Sequence, residues 1–158
     1  MPDIITNVMR ILEKKKVAFS AHTYPHGDEA VDGATVAELT GQNPDQVFKT
    51  LITQGASKQY YVFVIPVLCE LDLKKAAKAV GEKSVVMLHV ADLVPLTGYV
   101  RGGCSPIGMK KQFPTYIHQD AQSQPRLSVS AGVRGCQVIL ATDDLIAQTR
   151  AQLADLCR

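Results

Sequence analysis

The chain has 158 residues, of which 46% are hydrophobic and 20% charged, a composition ordinary for a folded globular protein. Its formal net charge is only +2, which does not indicate a dedicated nucleic-acid-binding protein but leaves room for a local basic face. No apolar run approaches the ~20 residues that cross a bilayer, and the first residues lack the pattern of a secretory signal. We therefore expect a cytoplasmic protein that has no membrane partner.

The length and the cysteine spacing limit the architecture further. A chain of this size is most simply one domain, and we expect that domain to span residues 1–158. The four cysteines lie far apart and form no C-x-x-C pair, which argues against a zinc site or a disulfide framework. We expect no metal and no other cofactor.

Hydrophobic periodicity and cap residues predict the elements of the first half of the chain. Apolar residues recurring every three or four positions predict an amphipathic helix over residues 3–15. Thr35 and Glu38 form a capping box that opens a second helix, which Gly41 ends. Asn43 and Pro44 start a single helical turn by the same kind of device. Strands are predicted at 18–24, 47–53 and 60–67, the last two forming a hairpin.

The second half is predicted in the same way. Asp72 caps a helix that ends at Gly81. Strands are predicted at 84–88, 114–118, 127–130 and 136–141, with a short helical turn at 90–95. Thr142 starts a final helix, whose predicted inner face consists of Leu145, Ala147, Leu153 and Leu156. Helices and strands interleave irregularly, which indicates an α+β fold: a mixed, mainly antiparallel sheet or part-closed barrel flanked by helices.

The segment 98–111 (GYVRGGCSPIGMKK) is the most unusual stretch of the sequence. Its four glycines permit backbone angles and close approaches that a Cβ would block, and Pro106 restricts its own φ and the residue before it. Three basic side chains lie in the same loop. Such a loop can turn backbone N–H groups toward a carboxylate, a phosphate or an oxyanion. The alternative is a solvated surface turn.

Two further side chains are candidates for ligand contact. Lys49 lies where a helical turn passes into a strand, and it either extends to solvent or, if it points inward, needs an anionic partner or substrate. Tyr24 lies at a strand end, where its ring can wall a pocket and its hydroxyl can orient a polar ligand. His22 and His26 flank it, but no third metal ligand is evident nearby.

These segments together resemble the YbaK/EbsC family, the freestanding relatives of the editing domain of bacterial prolyl-tRNA synthetases. The resemblance is carried in order by HTY at 22–24, NPDQVFKTL at 43–51, LDLKKAAK at 71–78, the loop 98–111 and SAGVRG at 130–135. It runs from about residue 3 to the final helix. The sequence departs from the family pattern at Cys104 and at Ala131, and it matches poorly over 28–34.

The resemblance implies a deacylase that hydrolyses cysteine wrongly attached to proline tRNA, without a cofactor. The expected catalytic residues are Lys49, Gly102, Gly103, Tyr24 and Asp144. The expected substrate-binding residues are Tyr24, Thr50, Ser105, Pro106, Gly108 and Ser130. Gly102 and Gly103 would bind the oxyanion through their amides, and the cysteinyl thiol would attack its own carbonyl.

Three alternatives remain open from the sequence. The substrate could be another misacylated tRNA, such as proline tRNA carrying alanine, because pocket volume sets that choice. The chain could instead be a non-catalytic module that binds an aminoacyl-tRNA or a synthetase. Cys104 is a rival nucleophile inside the loop, although no adjacent histidine is visible to ionise it. The expected partners are the aminoacyl-tRNA and, in a ternary complex, prolyl-tRNA synthetase.

Overall fold

The computed structural model describes residues 5–27 and 30–158. The described residues form five α-helices, two short 3-10 helices and eight strands. The α-helices are α1 (Asn7–Lys14), α2 (Gly33–Thr40), α3 (Leu73–Val80), α4 (Val90–Thr97) and α5 (Thr142–Thr149). The strands are β1 (Phe19–Thr23), β2 (Phe48–Gly55), β3 (Tyr60–Pro66), β4 (Val85–Met87), β5 (Thr115–His118), β6 (Arg126–Ser130), β7 (Cys136–Ala141) and β8 (Gln152–Ala154). The 3-10 helices span Pro44–Gln46 and Gln119–Ser123.

Local capping explains most of the helix boundaries. Asp72 caps α3 by accepting hydrogen bonds from the amides of Lys74 and Lys75, as predicted. Gly41 and Gly81 end α2 and α3 with φ of 69° and 75°, the left-handed conformation that glycine adopts without strain. Both helix ends predicted from these glycines are therefore confirmed.

Two predicted helix starts differ from the structure. The capping box prediction for α2 is wrong, because Asp32 is the N-cap and its carboxylate accepts the amide of Thr35 at 3.0 Å. The N-terminal helix begins at Asn7, after the N-cap Thr6, rather than at residue 3. Residues 3 and 4 of that prediction lie outside the described residues.

A five-stranded mixed sheet forms one layer of the fold, in the order β4-β2-β3-β5-β8. β2 and β3 form the predicted antiparallel hairpin, in which Lys49 pairs with Ile65 and Thr50 with Val64. β5 lies parallel to β3, and β8 lies parallel to β5.

A three-stranded antiparallel sheet, in the order β1-β7-β6, forms the second layer. In it Thr23 pairs with Cys136, and Ser130 pairs with Gln137. A parallel bridge between Val47 and Ser128 connects the two sheets, and the described strands do not close into a barrel. The prediction of an α+β fold with mixed sheets is confirmed.

Two apolar cores hold these layers together. The larger core lies between the sheets and under α1, and the smaller one lies between the other face of the five-stranded sheet and α3. The larger includes Val8, Leu12, Phe48, Ile52, Val62, Val64, Leu127, Val129, Val138 and Leu140. The smaller includes Tyr61, Phe63, Ile65, Ala76, Ala77 and Leu156. Because side chains alternate along a strand, β2 contributes to both cores.

The predicted inner face of the final helix is wrong in part. α5 ends at Thr149, because Arg150 adopts a left-handed conformation with φ of 56°. Leu153 therefore lies in β8, and Leu156 packs in the smaller core rather than on a helix. Leu145 is buried as predicted, whereas Ala147 is exposed. The sequence carries no glycine or proline at the point where the helix stops.

None of the helices in the described part of the chain has the length and apolar character that crossing a bilayer requires.

Candidate functional site

The loop 98–111 is held in a fixed shape by its own hydrogen bonds. The amide of Gly103 donates to the carbonyl of Val100 at 3.0 Å, and Gly102 lies between them with φ of +85°. This is the geometry of a tight turn whose third residue must tolerate a positive φ. The hydroxyl of Tyr99 donates to the carbonyl of Ile107 at 2.5 Å, which joins the two ends of the loop.

The two predicted oxyanion donors, the amides of Gly102 and Gly103, differ in their hydrogen bonding within this turn. The amide of Gly103 is committed to Val100, whereas the amide of Gly102 makes no hydrogen bond to the described part of the chain. Gly102 is also exposed and Gly103 is buried. An incoming carbonyl oxygen can therefore be met by the amide of Gly102, but the amide of Gly103 acts by shaping the turn.

The segment 131–135 packs directly against this turn. A Cβ on Gly103 would lie 3.0 Å from the amide nitrogen of Arg134 and from the carbonyl carbon of Val133. The Nε of Arg134 donates to the carbonyl of Arg101 at 2.7 Å. Because backbone meets backbone here, position 103 accepts only glycine without movement of one loop.

Tyr24 and Ser130 lie at the same end of the three-stranded sheet as the glycine loop. Tyr24 follows β1, is 9% exposed, and donates its amide to the carbonyl of Gly135 at 2.9 Å. Ser130 ends β6, and its hydroxyl accepts the amide of Gly132 at 3.1 Å. The structure therefore brings Tyr24, Ser130 and the turn at Gly102 to one edge.

Lys49 lies on the other sheet at the level of Ser130. The bridge between Val47 and Ser128 is parallel, so Lys49 and Ser130 both lie two residues beyond it in the same direction. Lys49 is half-buried, and its ammonium makes no hydrogen bond or ion pair with any residue in the described ranges. A cation without an anionic partner at this position is available to a ligand.

The segment 30–33 connects the Lys49 face to the glycine loop. Val67 follows β3 and packs against Val47, which lies two residues before Lys49. A Cβ on Gly33 would lie 2.3 Å from the side chain of Val67. At the other end of the segment, Ala30 packs within 2.7 Å of the position where Gly102 would carry a Cβ.

Thr50 lies on the opposite face of β2 from Lys49. Its Oγ1 is buried and has no hydrogen-bond partner among the described residues, although the residue as a whole is half-buried. An unpaired buried hydroxyl is costly. A rotation of about 120° about χ1 would move the hydroxyl into the position that the methyl group now occupies.

Three of the expected substrate-binding residues lie inside the loop or behind it. Ser105 is 0% exposed, and its hydroxyl accepts the amide of Ile107 at 3.3 Å. Pro106 is buried beside it. Gly108 has φ of +78°, and a Cβ there would lie 2.9 Å from the Cδ1 of Ile11. These residues shape the loop, and they do not line the edge formed by Tyr24, Lys49 and Gly102.

Asp144 is not brought to this edge. It lies in the first turn of α5, directly after β7. In the ladder between β6 and β7, Ser130 pairs with Gln137 while Arg126 pairs with Ala141. Asp144 follows Ala141 and is therefore at the opposite end of the three-stranded sheet, about 13 Å of strand away from the level of Ser130 at ~3.3 Å per residue.

Gln137 is the polar residue at this edge that the sequence reasoning missed. It pairs with Ser130, is 6% exposed, and its Oε1 accepts from Gln42 at 2.7 Å and from Ser128 at 3.1 Å. These hydrogen bonds hold the end of the sheet at which Ser130 lies. The available signal was one amide side chain in an otherwise apolar strand.

Burial decides the chemistry of Cys104. The residue is 9% exposed, and desolvation raises the pKa of its thiol to about 12. The thiol therefore stays protonated at neutral pH and is not a nucleophile there. Tyr99 lies close by, and burial, together with Cys104, raises the pKa of its phenol to about 12 as well. Among the described residues no group of three His, Cys, Asp or Glu side chains could hold a metal ion.

Comparison with known proteins identifies the family of this chain. The family model for the aminoacyl-tRNA editing domain matches residues 28–147. A curated protein of Enterococcus faecalis (strain ATCC 700802 / V583) is 47% identical over 151 residues, which is 96% of this chain and 92% of that protein. Its provisional name is Cys-tRNA(Pro)/Cys-tRNA(Cys) deacylase EbsC.

Solved structures share the fold. One, from work on epitope backbone grafting onto scaffold proteins by computational design, is 28% identical with a TM-score of 0.84, covering 96% of this chain and 94% of that one. Another, described as a provisional trans-editing enzyme for prolyl-tRNA synthetase, is 24% identical with a TM-score of 0.83 and covers 99% of both chains. The family match and the 47% identical relative together show that this chain belongs to the aminoacyl-tRNA editing domain family.

Proposed function

We propose that this chain is a trans-editing deacylase that hydrolyses the ester of cysteine mischarged on proline tRNA. Family membership and the name of the 47% identical relative support an aminoacyl-tRNA substrate. Two observations carry the proposal: the ammonium of Lys49 has no partner among the described residues and lies on β2 at the level of Ser130, and the amide of Gly102 is exposed and unbonded. A cation and an oxyanion donor on one edge match the charges of an aminoacyl ester at an RNA end.

Each group at the edge has a role in binding. Lys49 holds the phosphate or ribose at the 3′ end of the tRNA, or the charge that develops on the reacting ester. The amide of Gly102 holds the ester carbonyl, and such a donor contributes about two to three decades in rate. The ring of Tyr24 walls the aminoacyl group, and the hydroxyls of Ser130 and Thr50 orient it.

The substrate supplies its own nucleophile. The cysteinyl thiol loses its proton and attacks its own carbonyl carbon, which puts negative charge on the carbonyl oxygen facing Gly102. The bond from that carbon to the 3′ oxygen of the tRNA then breaks, and the leaving oxygen takes up a proton. Water opens the resulting cyclic thioester. The only thiol in the loop, Cys104, is held protonated by burial and takes no part.

The test is incubation of the protein with purified Cys-tRNA(Pro), comparing the wild type with Lys49→Ala and with Lys83→Ala, an exposed lysine elsewhere on the surface. We expect release of cysteine by the wild type and by Lys83→Ala, and a loss of about a hundredfold in Lys49→Ala. Far-UV circular dichroism checks that each variant is folded. Protection of the ester by the wild-type protein would favour a binding module instead.

The choice of amino acid is tested with Ala-tRNA(Pro) and Pro-tRNA(Pro) in the same assay. Alanine carries no thiol, so a substrate-assisted mechanism leaves its ester intact. Hydrolysis of Ala-tRNA(Pro) at the rate of Cys-tRNA(Pro) would show that an external nucleophile operates and would overturn the mechanism.

Specificity for proline tRNA comes from a ternary complex with prolyl-tRNA synthetase. The low net charge of +2 supports this, because it predicts a weak and salt-sensitive hold on the tRNA body. We expect the synthetase to lower KM for Cys-tRNA(Pro), and nanomolar, salt-insensitive binding of tRNA alone would contradict the idea. Since aminoacyl-tRNA is made and used in the cytoplasm, that is where the protein acts.

A further inference from the structure

A cavity lies behind the glycine loop, outside the edge described above. Its volume is ≈ 490 Å³, within the ~300–1,000 Å³ range of small-molecule sites. It opens between the end of α1, the rear of the loop at Ile107 and Gly108, and α5. Of the residues given a role so far, only Gly108 reaches it.

The charge of this cavity favours an anion. Lys14 and Lys15 line it, and both are exposed. Neither makes an ion pair with any residue of the described ranges, and no aspartate or glutamate from those ranges lines the cavity. Two lysines lining a cavity that no described aspartate or glutamate lines suit a phosphate group.

The remaining lining suits a nucleobase. Ile11 and Ile107 provide apolar walls, against which a flat ring can pack. Gln148 also lines the cavity, and its Oε1 is buried with no hydrogen-bond partner in the described part of the chain. That oxygen requires a donor. Among the bases, cytosine, adenine and guanine carry an exocyclic amine as such a donor, whereas uracil carries none.

We propose that this cavity binds one nucleotide of the acceptor end of the tRNA, with its phosphate on Lys14 and Lys15 and its amino group on Gln148. This subsite rests on the proposed function, because it serves the same substrate. The glycine loop connects the two sites, since Gly102 stands at the ester and Gly108 lines the cavity. The last three nucleotides of a tRNA are two cytidines and an adenosine, which carry only amino-bearing bases.

The probe is a fluorescein-labelled trinucleotide CCA with a 5′ phosphate, whose binding is followed by anisotropy and compared with UUU. We expect the double variant Lys14→Ala/Lys15→Ala to bind both about tenfold more weakly. It should also lower the slope of log K against log salt by about 0.7, the contribution of the single phosphate that the two lysines contact together. Lys78→Ala, an exposed lysine on α3, should bind like the wild type.

Gln148→Leu tests base recognition separately. Leucine keeps the bulk of the side chain and removes a buried acceptor without a partner, so folding is retained. We expect the preference of the wild type for CCA over UUU to fall about fivefold in this variant, with an unchanged salt slope.

Two results would overturn the subsite. One is equal binding by the wild type and the double lysine variant. The other is binding of free cytidine or adenosine monophosphate that intact tRNA fails to displace, because it would assign the cavity to a free nucleotide. These measurements need no hydrolysis, so a protein that binds CCA but leaves Cys-tRNA(Pro) intact would contradict the proposed function alone.

Discussion

β2 contains two threonines, Thr50 and Thr53, whose comparison tests whether the Thr50 hydroxyl binds the substrate. The Oγ1 atoms of Thr50 and Thr53 are both buried without a hydrogen-bond partner among the described residues. Thr53 is 0% exposed, whereas Thr50 is half-buried at the proposed site. Valine has nearly the same shape as threonine and lacks the hydroxyl, so Thr→Val removes the unpaired group from either position.

The expected gain in stability follows from the cost of an unpaired hydroxyl. Leaving a buried polar group unsatisfied costs about 1–3 kcal/mol, and the added methyl surface contributes up to about 0.8 kcal/mol. Thr53→Val should therefore raise the free energy of unfolding by about 1–3 kcal/mol. For a chain of this size, each kcal/mol corresponds to roughly 2–4 °C in Tm. Urea denaturation followed by circular dichroism measures the change.

The two variants should differ in activity. Thr53→Val should deacylate Cys-tRNA(Pro) at the wild-type rate, because its hydroxyl lies away from the proposed site. Thr50→Val should be as stable as Thr53→Val but about tenfold slower, which is the loss of one substrate hydrogen bond. Full activity in Thr50→Val would refute the role of that hydroxyl. Destabilisation by Thr53→Val would refute the reasoning on its burial, because it would mean that the hydroxyl is satisfied in solution.

Three further outcomes are expected. Cys104→Ala should deacylate within about twofold of the wild type from pH 6 to 9, because a thiol with a pKa of about 12 is protonated throughout; a hundredfold loss would make it the nucleophile. Gly103→Ala should unfold at a lower urea concentration than the wild type and should also lose activity, since overpacking lowers the free energy of unfolding by about 1–3 kcal/mol. Hydrogen bonds from Ser57 and Tyr61 lower the pKa of Glu82 from its ordinary value of 4.5. The ionised carboxylate therefore stabilises the fold fully above pH 4.5, and this stabilisation is lost as the pH falls through the lower pKa of the folded state. Glu82→Gln should flatten the acid side of the stability curve, and an unchanged curve would contradict this.

Features that depend on neighbouring residues were predictable from the sequence. Local backbone chemistry determines the C-terminal ends of α2 and α3, at Gly41 and Gly81, and the N-cap of α3 at Asp72. The hairpin of β2 and β3 follows from two apolar runs separated by a short turn. In each case the determining contacts lie within a few residues along the chain.

Features that depend on pairing between distant segments were not predictable in the same way. Ser130 and Asp144 lie 14 positions apart in the sequence, but the register of β6 and β7 puts them at opposite ends of the sheet. The unpaired state of the Thr50 hydroxyl and the end of α5 at Thr149 are likewise outcomes of tertiary packing. A residue pattern contains no information on which atoms remain without a partner.

The pairing of β1 with β7 has a consequence for synthesis of the protein. Residues 19–23 pair with residues 136–140, so more than a hundred intervening residues must be available before this sheet forms. Closing so long a loop slows folding, whereas the hairpin of β2 and β3 needs only its own segment. The edge that carries Tyr24 and Ser130 is thus a late product of translation, and a nascent chain still emerging from the ribosome lacks the edge to which we assign aminoacyl-tRNA binding.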